Sequence, residues 1–274
     1  MKKILNLYKK VGWTPLETIE KFKLKNPAYK SKRMGYAGRL DPMAEGVLIV
    51  LCEEENKKIA QYMGFDKEYV AEFLLGFASD SNDVLGIAEP GIGNSIEGTR
   101  DKLLESEKGN IFLGNNKTDE EIQKELKKKI KGFVGKYEQK IPKYSSYRVK
   151  GKPMFHYARK GVEVDDVMRK VLIKKIKVNS IYQITNTRLL KYITDKVGKV
   201  NGDFRQLEIL KNWGKLLKKD ESYYVMNVTL SVSSGTYIRA IADDFGEQME
   251  MGGLLMSLKR TRVGKFELRE SKRV

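Results

Sequence analysis

Between a glycine-bearing loop and the acids Glu53–Glu55, residues Gly46–Leu51 read GVLIVL, an unbroken apolar run. Successive side chains of an extended segment point to opposite faces, so a run that is apolar at every position suits a strand buried on both sides. Such a strand anchors the loop that precedes it, GYAGRLDPMAE. Two other segments show the half-buried strand period instead. EYVAEFLLGF places Tyr69, Ala71, Phe73, Leu75 and Phe77 on one face, and YYVMNVTLSV does the same for Tyr224, Met226, Val228, Leu230 and Val232. ILNLY near the start, VLIKKIKVNSIYQI and the late stretch LLMSLKRTRVGKFEL also read as strands.

Helices are marked by their ends. Thr14, Pro15 and Glu17 supply an N-cap, a first-turn proline and a capping-box acid. The helix they open has Leu16, Ile19 and Phe22 as its apolar face and stops at Asn26–Pro27. A charged segment through Met63 is expected to be helical. Thr118 with Glu121 forms a second capping box, opening a Lys-rich helix with Ile122, Leu126 and Ile130 on one face and a stop at Gly132. From about Tyr237 a further helix carries the stripe Ile238, Ile241, Ala242, Phe245 and Met249, leaving Arg239 off the stripe at the N-terminal end, where it can face a cleft. SDSNDVLG is a polar turn, and GIGNSIEG, lacking a GK[ST] ending, is a plain loop rather than a phosphate cradle. Residues 183–222 have mixed patterning and read as an insertion. No repeat or low-complexity linker divides residues 1–274, so one domain with inserts is expected.

The chain carries 53 Lys and Arg against 36 Asp and Glu, a net charge of +17, which favours a polyanionic partner such as nucleic acid. A Lys-rich solvated surface is the bland alternative. Cys52 is the only cysteine, which excludes an internal disulfide, fits a reducing cytoplasm and suits a buried, inert thiol. His156 is the only histidine, so a zinc site of the usual Cys and His type cannot be assembled. The apolar stretch of MKKILNLYKK is too short for a signal peptide or a membrane span. From Gln139 to Gly161, QKIPKYSSYRVKGKPMFHYARKG interleaves Lys and Arg with Tyr144, Tyr147, Phe155 and Tyr157, the combination that tracks phosphates and stacks on bases. By composition alone an RNA contact and an ordinary exposed loop followed by a short helix capped by Gly161 fit this segment equally well.

GYAGRLDPMAEGVL, DKEYVAEFLLG, IPKYSSYRVKGKPMFHYARKGVEV, SSGTYIRAIADDFGE and LKRTRVGKF occur in the order and character of the TruB-type pseudouridine synthases, and the chain resembles that family over most of residues 3–178 and 223–268. The resemblance implies an α+β catalytic domain with a mixed, largely antiparallel sheet flanked by helices and loops. It also implies no metal, no cofactor, and action on the uridine at position 55 in the T-arm loop of tRNA. Asp41 matches the catalytic aspartate, Tyr69 the active-site tyrosine, Arg239 the arginine that pairs with the aspartate, and Leu258 an apolar wall of the base pocket. Substrate contacts are expected from Tyr36, Arg39, Lys57, Tyr144, Arg148, Lys150, Lys152, Tyr237 and Arg260 as well, with residues 132–160 as an RNA-contacting, thumb-like segment. A cytoplasmic monomer needing no protein partner is expected, without a recognisable C-terminal PUA domain.

These assignments have physical reasons. Isomerisation breaks the N-glycosidic bond, turns the uracil and rejoins it through carbon, so a carboxylate must act on the sugar, as nucleophile or as base, and must be ionised to do so. Arg239 supplies the cation that opposes desolvation of that carboxylate. Tyr69 offers a face to an extruded base, returning about 1–3 kcal/mol of stacking against an unstacking cost of a few kcal/mol. The sequence departs from the family at Tyr36, where bacterial members usually carry histidine, at Arg39, where a small residue is common, and at Lys10, in place of the proline of KPxG. A non-catalytic RNA-binding module and a synthase acting on another RNA are the competing readings.

Overall fold

The computed structural model describes residues 2–91, 117–217 and 221–274. Residues 92–98 of GIGNSIEG lie outside them. The apolar run is β3 (Ala44–Cys52), and it lies inside the largest sheet with nearly every side chain buried. Three strands flank it. β1 (Ile4–Lys9) runs antiparallel along one edge, and β2 (Met34–Ala37) pairs antiparallel with the end of β3. β12 (Gly253–Val263) joins in parallel through Leu258, Lys259 and Arg260 opposite Ala44, Glu45 and Gly46.

The sheet continues antiparallel from β12 to β4 (Lys67–Leu75), to β11 (Ser222–Val232), to β10 (Met168–Thr185) and to β7 (Gly135–Lys140). β14 (Lys272–Arg273) adds in parallel to β1, and β13 (Phe266–Glu267) pairs with β12. The mixed, mostly antiparallel sheet implied by the resemblance is therefore the one observed.

Strand alternation decides which helices cover which face. Tyr69, Ala71, Phe73 and Leu75 of β4 and Met226, Val228, Leu230 and Val232 of β11 share one core with two helices. These are α3 (Asp119–Ile130), through Ile122, Leu126 and Ile130, and α7 (Ile238–Gln248), through Ile238, Ile241, Ala242 and Phe245. The opposite face holds Leu74, Val225, Leu254 and Met256 under α5 (Asn186–Gly198) and α6 (Gln206–Leu216), whose Trp213 is fully buried. α1 (Pro15–Lys25) lays Ile19 and Phe22 on β1 and β3. Both predicted capping boxes form, at Thr14–Glu17 and Thr118–Glu121.

Several expectations need correction. Leu16 is exposed, and Pro15 and Thr18 take its place on the buried side of α1. Phe77 does not continue the β4 face. Gly76, at φ 105°, breaks the strand, and Phe77 crosses to the Trp213 side in β5 (Phe77–Ser79), paired with β6 (Ala88–Pro90). The Lys-rich helix ends at Ile130, before Gly132, and a 3-10 turn follows. Of residues 183–222, Gln183, Ile184 and Thr185 belong to β10 and pair with Tyr224, Tyr223 and Ser222 of β11.

Candidate active site

Asp41 lies between β2 and β3, in a loop whose backbone is held by cations. Lys9, fully buried on β1, donates from Nζ to the carbonyls of Asp41 at 2.7 Å, Pro42 at 2.9 Å and Ala44. Burial pushes this lysine down to about 7, with Asp41 as the largest opposing charge. The Gly12 amide donates to Pro42 at 2.8 Å. From the other side Arg260 of β12, 1% exposed, donates to the Val47 carbonyl at 2.8 Å and to the Gly38 carbonyl at 3.0 Å. Gly46 permits that approach. It has φ 112°, and a Cβ there would lie 2.2 Å from the Arg260 carbonyl.

Arg239 comes from the first turn of α7. Its Nη1 donates to the Ser81 carbonyl at 2.7 Å and its Nη2 to the Tyr144 carbonyl at 3.0 Å. These two anchors leave Nε facing Asp41, 3.3 Å from Oδ2, as an ion pair without hydrogen-bond geometry. The arginine side chain is 4% exposed and the aspartate 38%, so the carboxylate opens to solvent while the cation behind it does not. Asp83, buried, is a second carboxylate near this pair. Burial raises it to about 6, Arg239 opposes the rise and Asp41 adds to it. Ser81 Oγ and the Leu85 amide donate to its Oδ1 at 2.8 and 2.9 Å.

A cavity of about 580 Å³ opens in front of Asp41. Tyr69 and Leu258 line it from neighbouring strands, and Tyr237 from the residue before α7. The charged lining residues are Arg39, Lys67, Arg148, Arg169, Arg239 and Arg260 against Asp41 alone, a balance that suits a ligand with a phosphate backbone. Lys67 donates to the carbonyls of Met63 and Phe65, and burial with Arg260 nearby pushes it down to about 8. Arg169 lies against Gly235, where a Cβ would sit 2.2 Å from its guanidinium.

The cavity brings together Arg39, Asp41, Tyr69, Arg148, Tyr237, Arg239, Leu258 and Arg260. It does not include five other residues expected to touch substrate. Tyr36 packs against the Leu5, Ile19 and Val50 core on the α1 side of the sheet. Lys57 is exposed and ion-paired to Glu54, one helical turn away. The Tyr144 ring lies under Arg205 and its hydroxyl reaches Asp80, so only its carbonyl serves the site. Lys150 and Lys152 belong to the hairpin of β8 (Arg148–Val149) and β9 (Lys152–Pro153), beside the cavity but outside its wall.

Arg260 lines the cavity, yet it donates its hydrogen bonds to the Val47 and Gly38 backbone, which makes it a support of the Asp41 loop. Sequence reasoning missed Lys9, Lys67, Asp83 and Arg169. The available signals were Lys9 at the end of a buried strand, Lys67 inside the DKEY motif and Asp83 inside an otherwise plain turn.

The TruB family pseudouridylate synthase (N terminal domain) model matches residues 26–103 and 99–194. The chain belongs to this family. It is therefore a pseudouridylate synthase, the enzyme class implied by the resemblance. Similar curated relatives are the tRNA pseudouridine synthase B of Clostridium kluyveri, 29% identical over 98% of this chain and 69% of that one, and that of Endomicrobium trichonymphae, 28% identical over 98% and 88%. A solved Cbf5-Nop10-Gar1 complex matches the fold of this chain with a TM-score of 0.52 and 19% identity. That match covers 96% of this chain and 49% of the other, so the chain spans about half the length of this structural relative. Among the described residues no helix is long and apolar enough to cross a membrane.

Proposed function

We propose that this chain converts uridine to pseudouridine in the T-arm loop of tRNA, at position 55, with Asp41 as its catalytic carboxylate. The observation that carries the reading is the Asp41–Arg239 pair at 3.3 Å, set in a cavity with an aromatic and an aliphatic wall and a cationic rim. The names of the curated relatives support tRNA as the substrate.

In this scheme the uridine leaves its stack and enters the cavity. Asp41, as nucleophile or base on the sugar, assists cleavage of the N1–C1′ bond. The uracil turns against Tyr69 and Leu258, the C5–C1′ bond forms, N1 gains a proton and C5 loses one, a loss that the Tyr69 phenol mediates. Arg239, 3.3 Å from Oδ2, fixes the position of the carboxylate and balances its charge. Arg39, Arg148 and Arg169 face the backbone on either side of the flipped nucleotide, and the 132–160 segment grips the stem. Residues 1–274 act as one catalytic unit, a cytoplasmic monomer on tRNA, and the buried lone Cys52 fits a reducing compartment.

Tritium release from C5-labelled uridine in a T-arm stem-loop tests the proposal. Wild type is expected to release the label and Asp41→Asn to release none. Equal release by both defeats the mechanism, whereas release from other RNAs but never from the T-arm loop defeats the substrate assignment alone.

A further inference from the structure

The turn joining α5 to α6 carries Arg205 at φ 61° and ψ 29°, in the left-handed region. A residue with a long side chain is held there only where contacts offset the strain, and such positions cluster at functional sites. The Arg205 guanidinium forks onto Asp80, with Nη1 2.8 Å from Oδ2 and Nη2 3.2 Å from Oδ1. Its Cζ also lies 5.0 Å from the centre of the Tyr144 ring.

Both partners adjoin the backbone that holds Arg239. Asp80 directly precedes Ser81, whose carbonyl takes Nη1, and Tyr144 itself supplies the carbonyl that takes Nη2. Asp80 is fixed from a second side, since its Oδ1 accepts the Ile87 amide at 2.9 Å, and the Tyr144 hydroxyl reaches its Oδ2 at 3.4 Å. The same turn meets the supports of Asp41. Asn201 donates to Glu17 at 3.0 Å, and the Lys199 carbonyl closes on Gly12, whose amide holds Pro42.

We propose that Arg205 is a positioning residue for the Asp41–Arg239 pair. By clamping Asp80 to Tyr144 it fixes the two carbonyls that aim the Arg239 Nε at the carboxylate. Planar bidentate geometry suits this task, because a forked ion pair sets orientation as well as distance. The inference rests on the uridine-isomerising reading above and gives the α5–α6 insertion a role in it.

Single-turnover kinetics on the T-arm stem-loop, with RNA affinity measured separately, test the proposal. Arg205→Ala is expected to lower the rate about tenfold or more, since small misplacements of catalytic groups are costly. Its affinity for RNA is expected to stay within about twofold of wild type, the pattern of a loss confined to the chemical step. Arg205→Lys, which keeps the charge without the fork, should recover an intermediate rate. Asp80→Asn should match Arg205→Ala, and the double variant should be no slower than either, because both remove the same ion pair.

A second readout is independent of activity. The Arg239 Nε–H resonance, assigned by its loss in Arg239→Lys, should shift or broaden in Arg205→Ala at temperatures where that variant is folded. A wild-type rate in Arg205→Ala overturns the proposal, as does an unmoved Nε–H resonance. A wild type that leaves the stem-loop unmodified strikes the function proposed above, and the positioning role then stands or falls on the resonance.

Discussion

Replacing Asp83 by asparagine should stabilise the fold near neutral pH and leave it unchanged in acid. Burial raises the carboxyl from 3.8 to about 6, with Arg239 as its largest favourable charge. A raised carboxyl binds its proton more tightly in the folded state than in the unfolded one. Its favourable contribution is therefore complete below about pH 4 and lost as pH rises through about 6. Over that window the ionised group costs the fold at most about 3 kcal/mol.

Asparagine keeps the shape, and its Oδ1 can still accept from Ser81 and Leu85, so the substitution removes the titration with little else. Urea unfolding followed by the fluorescence of Trp13 and Trp213 should show variant and wild type equal near pH 4. The variant should become the more stable by about 1–3 kcal/mol near pH 7. Turnover should fall in the same variant, because the interior charge facing Arg239 is gone, a trade of function for stability expected at a strained site. A difference in stability that is flat between those two pH values refutes the reasoning.

Arg260→Met should lower stability by about 2–4 kcal/mol, because the Val47 and Gly38 carbonyls lose their donors in a largely buried setting, and an unchanged melting temperature would refute the support role. Lys150→Ala combined with Lys152→Ala should make the dependence of log affinity on log salt shallower by roughly 1.5, about 0.7–0.9 for each phosphate no longer neutralised, as read by filter binding. An unchanged slope removes the hairpin from the RNA interface.

Local and periodic features were legible in the sequence. β3 was visible because burial on both faces demands an unbroken apolar run, α1 and α3 because their capping boxes satisfy the first amides from within four residues, and α7 because its stripe repeats at the helical period. That Asp41, Tyr69, Arg239 and Leu258 line one cavity was legible only through motif resemblance, since each alone suits a turn, a core or a helix end. Phe77 was misplaced because alternation assumes an unbroken strand, and a left-handed Gly76 ends it.

Residue order alone dictated the strongly periodic and capped elements, the basic charge and the motifs of a uridine isomerase. Which groups support Asp41 was decided by the folded chain. Lys9, Arg260 and the carbonyls of Ser81 and Tyr144 come from segments distant along the chain, and each of their hydrogen bonds has as acceptor a backbone carbonyl, which every residue carries. Such interactions leave no pattern in side-chain identity or spacing. The same holds for Asp83, whose character arises from burial, and for Arg205, whose role depends on where an insertion's turn comes to rest.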